Sequence, residues 1–186
     1  VTFNGANISL TNNRATVLAA SAATGTLAVS ASGAITQNGA LNIGGNASFT
    51  GTDITLQNAG NIFGGTVDFT GANVALFDST ALALAASTAT GTLAANSTGA
   101  ITQSGALNIG GNASFTGTDI TLNNAANVFT GTVAFTGANV ALTNSTALSL
   151  AASTATGTLA LTSGGVLTQT GALTVGGNTT ISKGHR

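Results

Sequence analysis

The sequence predicts an all-β fold, a parallel β-helix or β-solenoid with three strands per rung and about eight to nine rungs. Two observations predict it. The chain repeats with a fixed period, Phe3, Phe69 and Phe135 marking equivalent positions, and within each copy apolar and polar residues alternate in short segments split by Gly or Asn. Self-similarity at a fixed period marks a stacked architecture rather than a single globular core. Alternation with period two marks a half-buried strand.

The repeat is explicit. FTGANVAL starts at Phe69 and again at Phe135, with the related FNGANISL at Phe3. ITQNGALNIGGNASFTGTDITL at Ile35 returns at Ile101 as ITQSGALNIGGNASFTGTDITL, and LTQTGALTVGG follows at Leu167. The organisation expected is one solenoid over 1–182, made of copies 1–66, 67–132 and a truncated 133–182, with an aberrant tail at 183–186. Val1 shares its repeat position with Val67 and Val133, and the pattern breaks at Lys183, so a slice of a longer chain is expected. The tail reads as a charged cap, an appended scar or the start of a different segment.

The middle copy divides at glycines into turns over 66–91, 92–111 and 112–131. Each holds about three alternating segments rich in Thr, Val, Ile and Phe, which suit a pleated surface. The Gly and Asn separators are expected to supply positive φ or side-chain turns. Stacking the turns by repeat position gives three apolar columns. One sets Val67/Phe69 beneath Leu93/Ala95, a second runs through Val74/Leu76, Ile101 and Ile120/Leu122, and a third through Leu82/Leu84, Leu107/Ile109 and Val128. Three columns imply three faces, with the apolar set inward. Helical solenoids fail because Gly and β-branched residues interrupt every 3.6-residue pattern. The helix-like stretches 17–23 and 81–87 keep Leu at alternate places in the later copies (Leu82 and Leu84, Leu148 and Leu150), which favours strand. A propeller blade needs roughly 40 residues per unit, longer than these turns.

Composition excludes several classes of function. Charged residues are 4% of the chain and the net charge is -1, so there is no basic footprint for nucleic acid and no polybasic patch for a membrane. No apolar run approaches the ~18 residues of a membrane span. Without Cys there is no disulfide framework and no thiolate metal site. The opening VTFNGANISL has neither the basic region nor the apolar region of a signal peptide, as expected of a mature fragment or of a cytosolic protein.

With GAITQSGALNIGGNASFTGTDITLNNAANVFTGTV in view, the chain resembles the repeat regions of filamentous-haemagglutinin-like bacterial adhesins, large exoproteins many of which leave the cell by two-partner secretion. The resemblance covers 1 to about 182 and rests on the GALxIGG and DITLxNAxNxF runs and the TGT and GG corners. It implies a right-handed parallel β-helix forming the shaft of an extracellular adhesin. It supplies no counterpart here for that family's secretion domain or distal functional module.

No residue set reads as catalytic, cofactor-binding or metal-binding. His185 is the sole His and belongs to the tail. Asp53 and Asp119 match across the repeat, so stacking places them three rungs apart, roughly 14 Å at the strand spacing, too far for an acid–base pair. Asp68 and Asp78 become Ala134 and Asn144 one copy later and form no column. Gly44-Gly45 and Gly110-Gly111 lack the following Asp of calcium-binding β-rolls and read as corners. Asn7, Asn73 and Asn139, and Asn58 and Asn124, recur as candidates for structural side-chain ladders. Asn46, Asn96, Asn112, Asn144 and Asn178 stand in Asn-x-Ser/Thr contexts, which chance explains in so Asn- and Thr-rich a chain. TGT recurs at Thr24, Thr50, Thr90, Thr116, Thr130 and Thr156. Flat Thr rows would bind ice, the second functional reading.

The expectation is therefore a non-enzymatic shaft of a secreted or surface-anchored adhesin. Its expected partners are flanking segments of a longer chain, neighbouring copies and matrix polysaccharide, without cofactor or nucleic acid.

Overall fold

In the computed structural model, which describes residues 1–183, the chain is a parallel β-solenoid without helix among those residues. β1 (Asn4–Gly5), β2 (Ile8–Asn12) and β3 (Thr16–Leu18) make the first turn, and β4 (Ser21–Ala23), β5 (Leu27–Ala31) and β6 (Ile35–Gln37) the second. β7 (Leu41–Ile43), β8 (Ala47–Thr50) and β9 (Ile54–Leu56) form the third, and β10 (Ile62–Phe63), β11 (Thr66–Gly71) and β12 (Val74–Asp78) the fourth. β13 (Leu82–Leu84), β14 (Ser87–Ala89) and β15 (Leu93–Ser97) follow, then β16 (Ile101–Gln103), β17 (Leu107–Ile109) and β18 (Ala113–Thr116). β19 (Ile120–Leu122), β20 (Val128–Phe129) and β21 (Thr132–Gly137) precede β22 (Val140–Asn144), β23 (Leu148–Leu150) and β24 (Ser153–Ala155). β25 (Leu159–Ser163), β26 (Leu167–Gln169) and β27 (Leu173–Val175) make the ninth turn, and β28 (Thr179–Lys183) begins another. Lys183 pairs with Ser163 inside that last strand. The other residues of the expected tail, Gly184, His185 and Arg186, lie outside the described residues.

Every recorded strand pair is parallel, and the rule is that each strand lies under the one three places later. The ladders Ile8↔Leu27, Leu27↔Ala47 and Ala47↔Val67 each span one circuit of the axis. Alternation then fills the interior, because one in two side chains of each strand points to the axis. Phe49, Phe69, Leu56, Leu76, Ile101 and Ile120 are all at most 1% exposed. Phe49 meets Phe63 edge-on at 6.1 Å and Phe115 meets Phe129 at 5.9 Å, the preferred aromatic geometry.

The repeat and the turn are out of step. From β11 to β20 there are ten strands, and β21 (TVAFTG) then restores the repeat position of β11 (TVDFTG). Ten strands at three per turn are three and one-third turns, so each copy begins one face further round the axis. The expected columns are corrected accordingly. Leu93 and Ala95 pair with Val74 and Leu76, not with Val67 and Phe69. The stretch 66–91 is not one long turn; it contains the extra corner that carries the chain onto the next face.

The change of face happens at a splice, once per copy. The sheet β1-β4-β7-β10 stops at β10, and β11 forks. Its start pairs with β13 (Val67↔Leu84) and its end with β14 (Thr70↔Thr88). The line β14-β17-β20 stops at β20 in the same way, and β21 forks to β23 and β24. At each fork two residues, Asp68 and Phe69 or Ala134 and Phe135, have no register partner above, and a side chain takes up the free N–H: Phe69 N–H donates to Ser87 Oγ at 3.1 Å and Phe135 N–H to Ser153 Oγ at 3.1 Å.

No described residue has positive φ, glycine included, so of the two devices expected of the separators only side-chain turns, such as those at Asn58 and Asn124, form. The corners instead need glycine where turns approach closely. A Cβ on Gly105 would collide with the backbone of Ala86, whereas one on Gly60 would meet nothing nearer than 3.2 Å. Ala126 already occupies the position equivalent to Gly60. Gly105→Ala is expected to cost about 2 kcal/mol and Gly60→Ala to be neutral or slightly stabilising, as compared by thermal unfolding.

Candidate functional site

Side-chain hydrogen bonds of this solenoid gather in three places: exposed corner ladders, an amide pair and the splices. Asp53 opens the first corner ladder. Its Oδ1 accepts from Asn73 N and Asn73 Nδ2, both at 3.0 Å, and Asn73 Oδ1 accepts from Thr92 N at 3.2 Å and Thr92 Oγ1 at 3.0 Å. Asp119, Asn139 and Thr158 repeat it at 2.9–3.1 Å. Asn7 likewise accepts from Thr26 N and Oγ1. The recurring Asn7, Asn73 and Asn139 thus bind each turn to the next. Asn58 and Asn124 close local turns onto Gly60 N and Ala126 N at 2.9 Å.

Asp53 and Asp119 do not share a face, which corrects the three-rung stacking. Asp53 leads into β9, in the sheet running β3-β6-β9-β12, and Asp119 leads into β19, in the line β13-β16-β19-β22. Each borders a shallow groove floored by small residues, Thr55, Ala75 and Ala94 in one and Thr121, Ala141 and Ala160 in the other. Neither groove brings a second ionisable group to its Asp. Asp68 points outward and accepts from Ser48 Oγ at 2.6 Å. Among the described residues no three His, Cys, Asp or Glu side chains converge as metal ligands. No helix there is long and apolar enough to cross a membrane.

The Asn-x-Ser/Thr positions separate by environment. Asn46, Asn112 and Asn178 are exposed corners, and Asn96 is half-buried on β15. Asn144 is 1% exposed with its amide fully engaged. Outward Thr residues form short files, Thr50–Thr70–Thr88 and Thr116–Thr136–Thr154–Thr174. The face change at each splice moves the repeat-equivalent file to another side, so among the described residues the Thr files stay short.

An amide pair, its Asn buried and its Gln half-buried, is the feature that sequence reading missed. Gln37 Nε2 donates to Asn61 Oδ1 and Asn61 Nδ2 donates back to Gln37 Oε1, both at 2.8 Å. The outer atoms bond to Gly39 O, Leu56 O, Leu41 N and Asn58 N. Gln103 and Asn127 rebuild it one copy later, again with two 2.8 Å bonds. Every donor and acceptor of the two amides is used, which is what makes burial of a polar pair tolerable. The signal in the sequence was a Gln and a later Asn at the same separation in both copies, Gln37/Asn61 and Gln103/Asn127. Chemically, these sites bind the chain to itself.

The family model described as "Repeats of unknown function (DUF5649)" matches residues 5–70, 71–136 and 137–186, in step with the sequence repeat. No curated protein and no solved structure matches the chain.

Proposed function

The chain belongs to that family of repeats, and from this premise we propose that it is a structural shaft segment of a secreted or surface-anchored bacterial adhesin. Its work is mechanical: it spaces a distal binding module from the cell. One observation carries the reading. Parallel ladders run turn upon turn along the chain, and its recurring side-chain hydrogen bonds hold adjacent turns together. Load applied along the axis would fall on backbone hydrogen bonds on all three faces at once, with aliphatic and Phe stacks between them. The resemblance of the GALxIGG and DITLxNAxNxF runs to filamentous-haemagglutinin-like shafts supports the same reading. Low charge favours lateral packing against neighbouring copies or matrix polysaccharide, and flanking segments of a longer chain are the axial partners.

Immunogold electron microscopy on producing cells, with antibody raised to this segment, tests the proposal. Label strung along thin filaments outside the cell is expected. Label confined to the cytoplasm would remove the adhesin reading.

A further inference from the structure

The end of a face needs a substitute for the missing strand, and Asn144 shows what that substitute is. β20 has no strand above it. Asn144, buried at the end of β22, accepts Phe129 N–H on Oδ1 at 2.9 Å. Its Nδ2 donates to Phe129 C=O at 3.1 Å and to Ala147 C=O at 2.8 Å. The side-chain amide thus acts as a peptide unit of the absent strand.

One copy earlier the same position is Asp78, 0% exposed at the end of β12, serving Phe63 of β10. Its Oδ1 accepts from Thr80 N and Thr80 Oγ1, both at 2.9 Å, and its Oδ2 lies 3.4 Å from Phe63 N. An ionised carboxylate only accepts, so it has no hydrogen to return to the Phe63 carbonyl; the acid form carries one. Nothing charged compensates it. β9, β10, β13, β15 and the corner residues Ser79, Thr80 and Ala81 contain no ionisable side chain. Asp68 on β11 is turned outward to Ser48. Burial pushes the Asp78 carboxyl up from the usual carboxylate range, against the lowering by its Thr80 and Phe63 donors.

We propose that Asp78 makes the first splice a proton-operated joint: protonated, its carboxyl has a hydrogen to offer the Phe63 carbonyl, as the Asn144 amide offers one to Phe129, and ionised, it leaves the Phe63 carbonyl without that donor and the face end loosened. The sign follows from linkage. A group that holds its proton more tightly in the folded than in the unfolded chain contributes stability below its unfolded pKa, and that contribution is lost as pH rises through the folded pKa. The joint therefore tightens in acid, opposite to the usual behaviour of a carboxylate. The Asn144 joint has no such dependence.

Amide hydrogen exchange by NMR on the full chain, between pH 3.5 and pH 7.5, tests this through the protection factors of Gly64 and Thr130, whose N–H groups share a peptide unit with the Phe63 and Phe129 carbonyls and donate to Ile43 C=O and Ile109 C=O. As pH rises, protection of Gly64 should fall roughly tenfold relative to Thr130, the size expected for loss of one buried hydrogen bond. Asp78→Asn should abolish that fall, and Asn144→Asp should confer it on Thr130. A constant Gly64-to-Thr130 ratio in the unaltered chain, or a fall that persists in Asp78→Asn, would overturn the proposal.

Discussion

Ile101→Asp is expected to destabilise the solenoid by about 4 kcal/mol or more, the range of a buried charge without a partner. Ile101 is 0% exposed, with Leu82 on one side of it and Ile120 on the other along the same face. A carboxylate there would meet aliphatic carbon on both sides, without the backbone and hydroxyl donors that surround Asp78. Asn108→Asp, on the outward side of β17, should stay within about 0.5 kcal/mol. Denaturant midpoints of the two variants measure the contrast, and equal losses would show that the inward assignment is wrong. Asn96, half-buried in β15 between Phe77 and Thr116, is a poorer control.

Asn127→Leu should cost on the order of 3 kcal/mol despite its similar size, because stranded buried polar groups cost more than a typical hydrogen bond contributes. The substitution leaves Leu107 N–H, Leu122 C=O and Thr143 C=O without their side-chain partner and removes both amide–amide bonds of Gln103. The double variant Asn127→Leu with Gln103→Leu should be less damaging than the two single losses added together, because each removes a partner that the other has already stranded. A double-mutant cycle on unfolding midpoints measures this coupling. Strict additivity would mean that the two amides do not act as a unit.

The strands were legible because alternation is a local property. Leu82 and Leu84, or Ile54 and Leu56, declare their inward side within a single short strand, and each is 0% exposed. The phase of stacking was not legible in the same way. A fixed period invites division into whole turns, yet nothing in Val67 or Phe69 says whether Leu84 or Leu93 lies above. That is decided by where a corner falls between β12 and β13. The buried polar residues carry that information: Asn61, Asp78 and Ser87, with Asn127, Asn144 and Ser153 one copy later, gather at the splices and the amide pair. Read singly, each resembles an ordinary turn residue. Their roles depend on contacts with residues a turn or so away along the chain, such as Gln37 with Asn61, Phe63 with Asp78 and Phe69 with Ser87. Alternation does not encode those contacts.

Each copy advances by one face, and disulfide formation between paired cysteine substitutions reads that advance, since the chain has no cysteine of its own. Ala75 and Ala94 are outward neighbours on adjacent turns, whereas Asp68 pairs with Ser48 and lies on a different sheet from Ala94. Adjacent strands lie ~4.8 Å apart, within reach of a disulfide. Ala75→Cys with Ala94→Cys should oxidise to a closed disulfide, and Asp68→Cys with Ala94→Cys should remain as thiols. Closure of the second pair in place of the first would mean that the repeat stacks in whole turns on a single face.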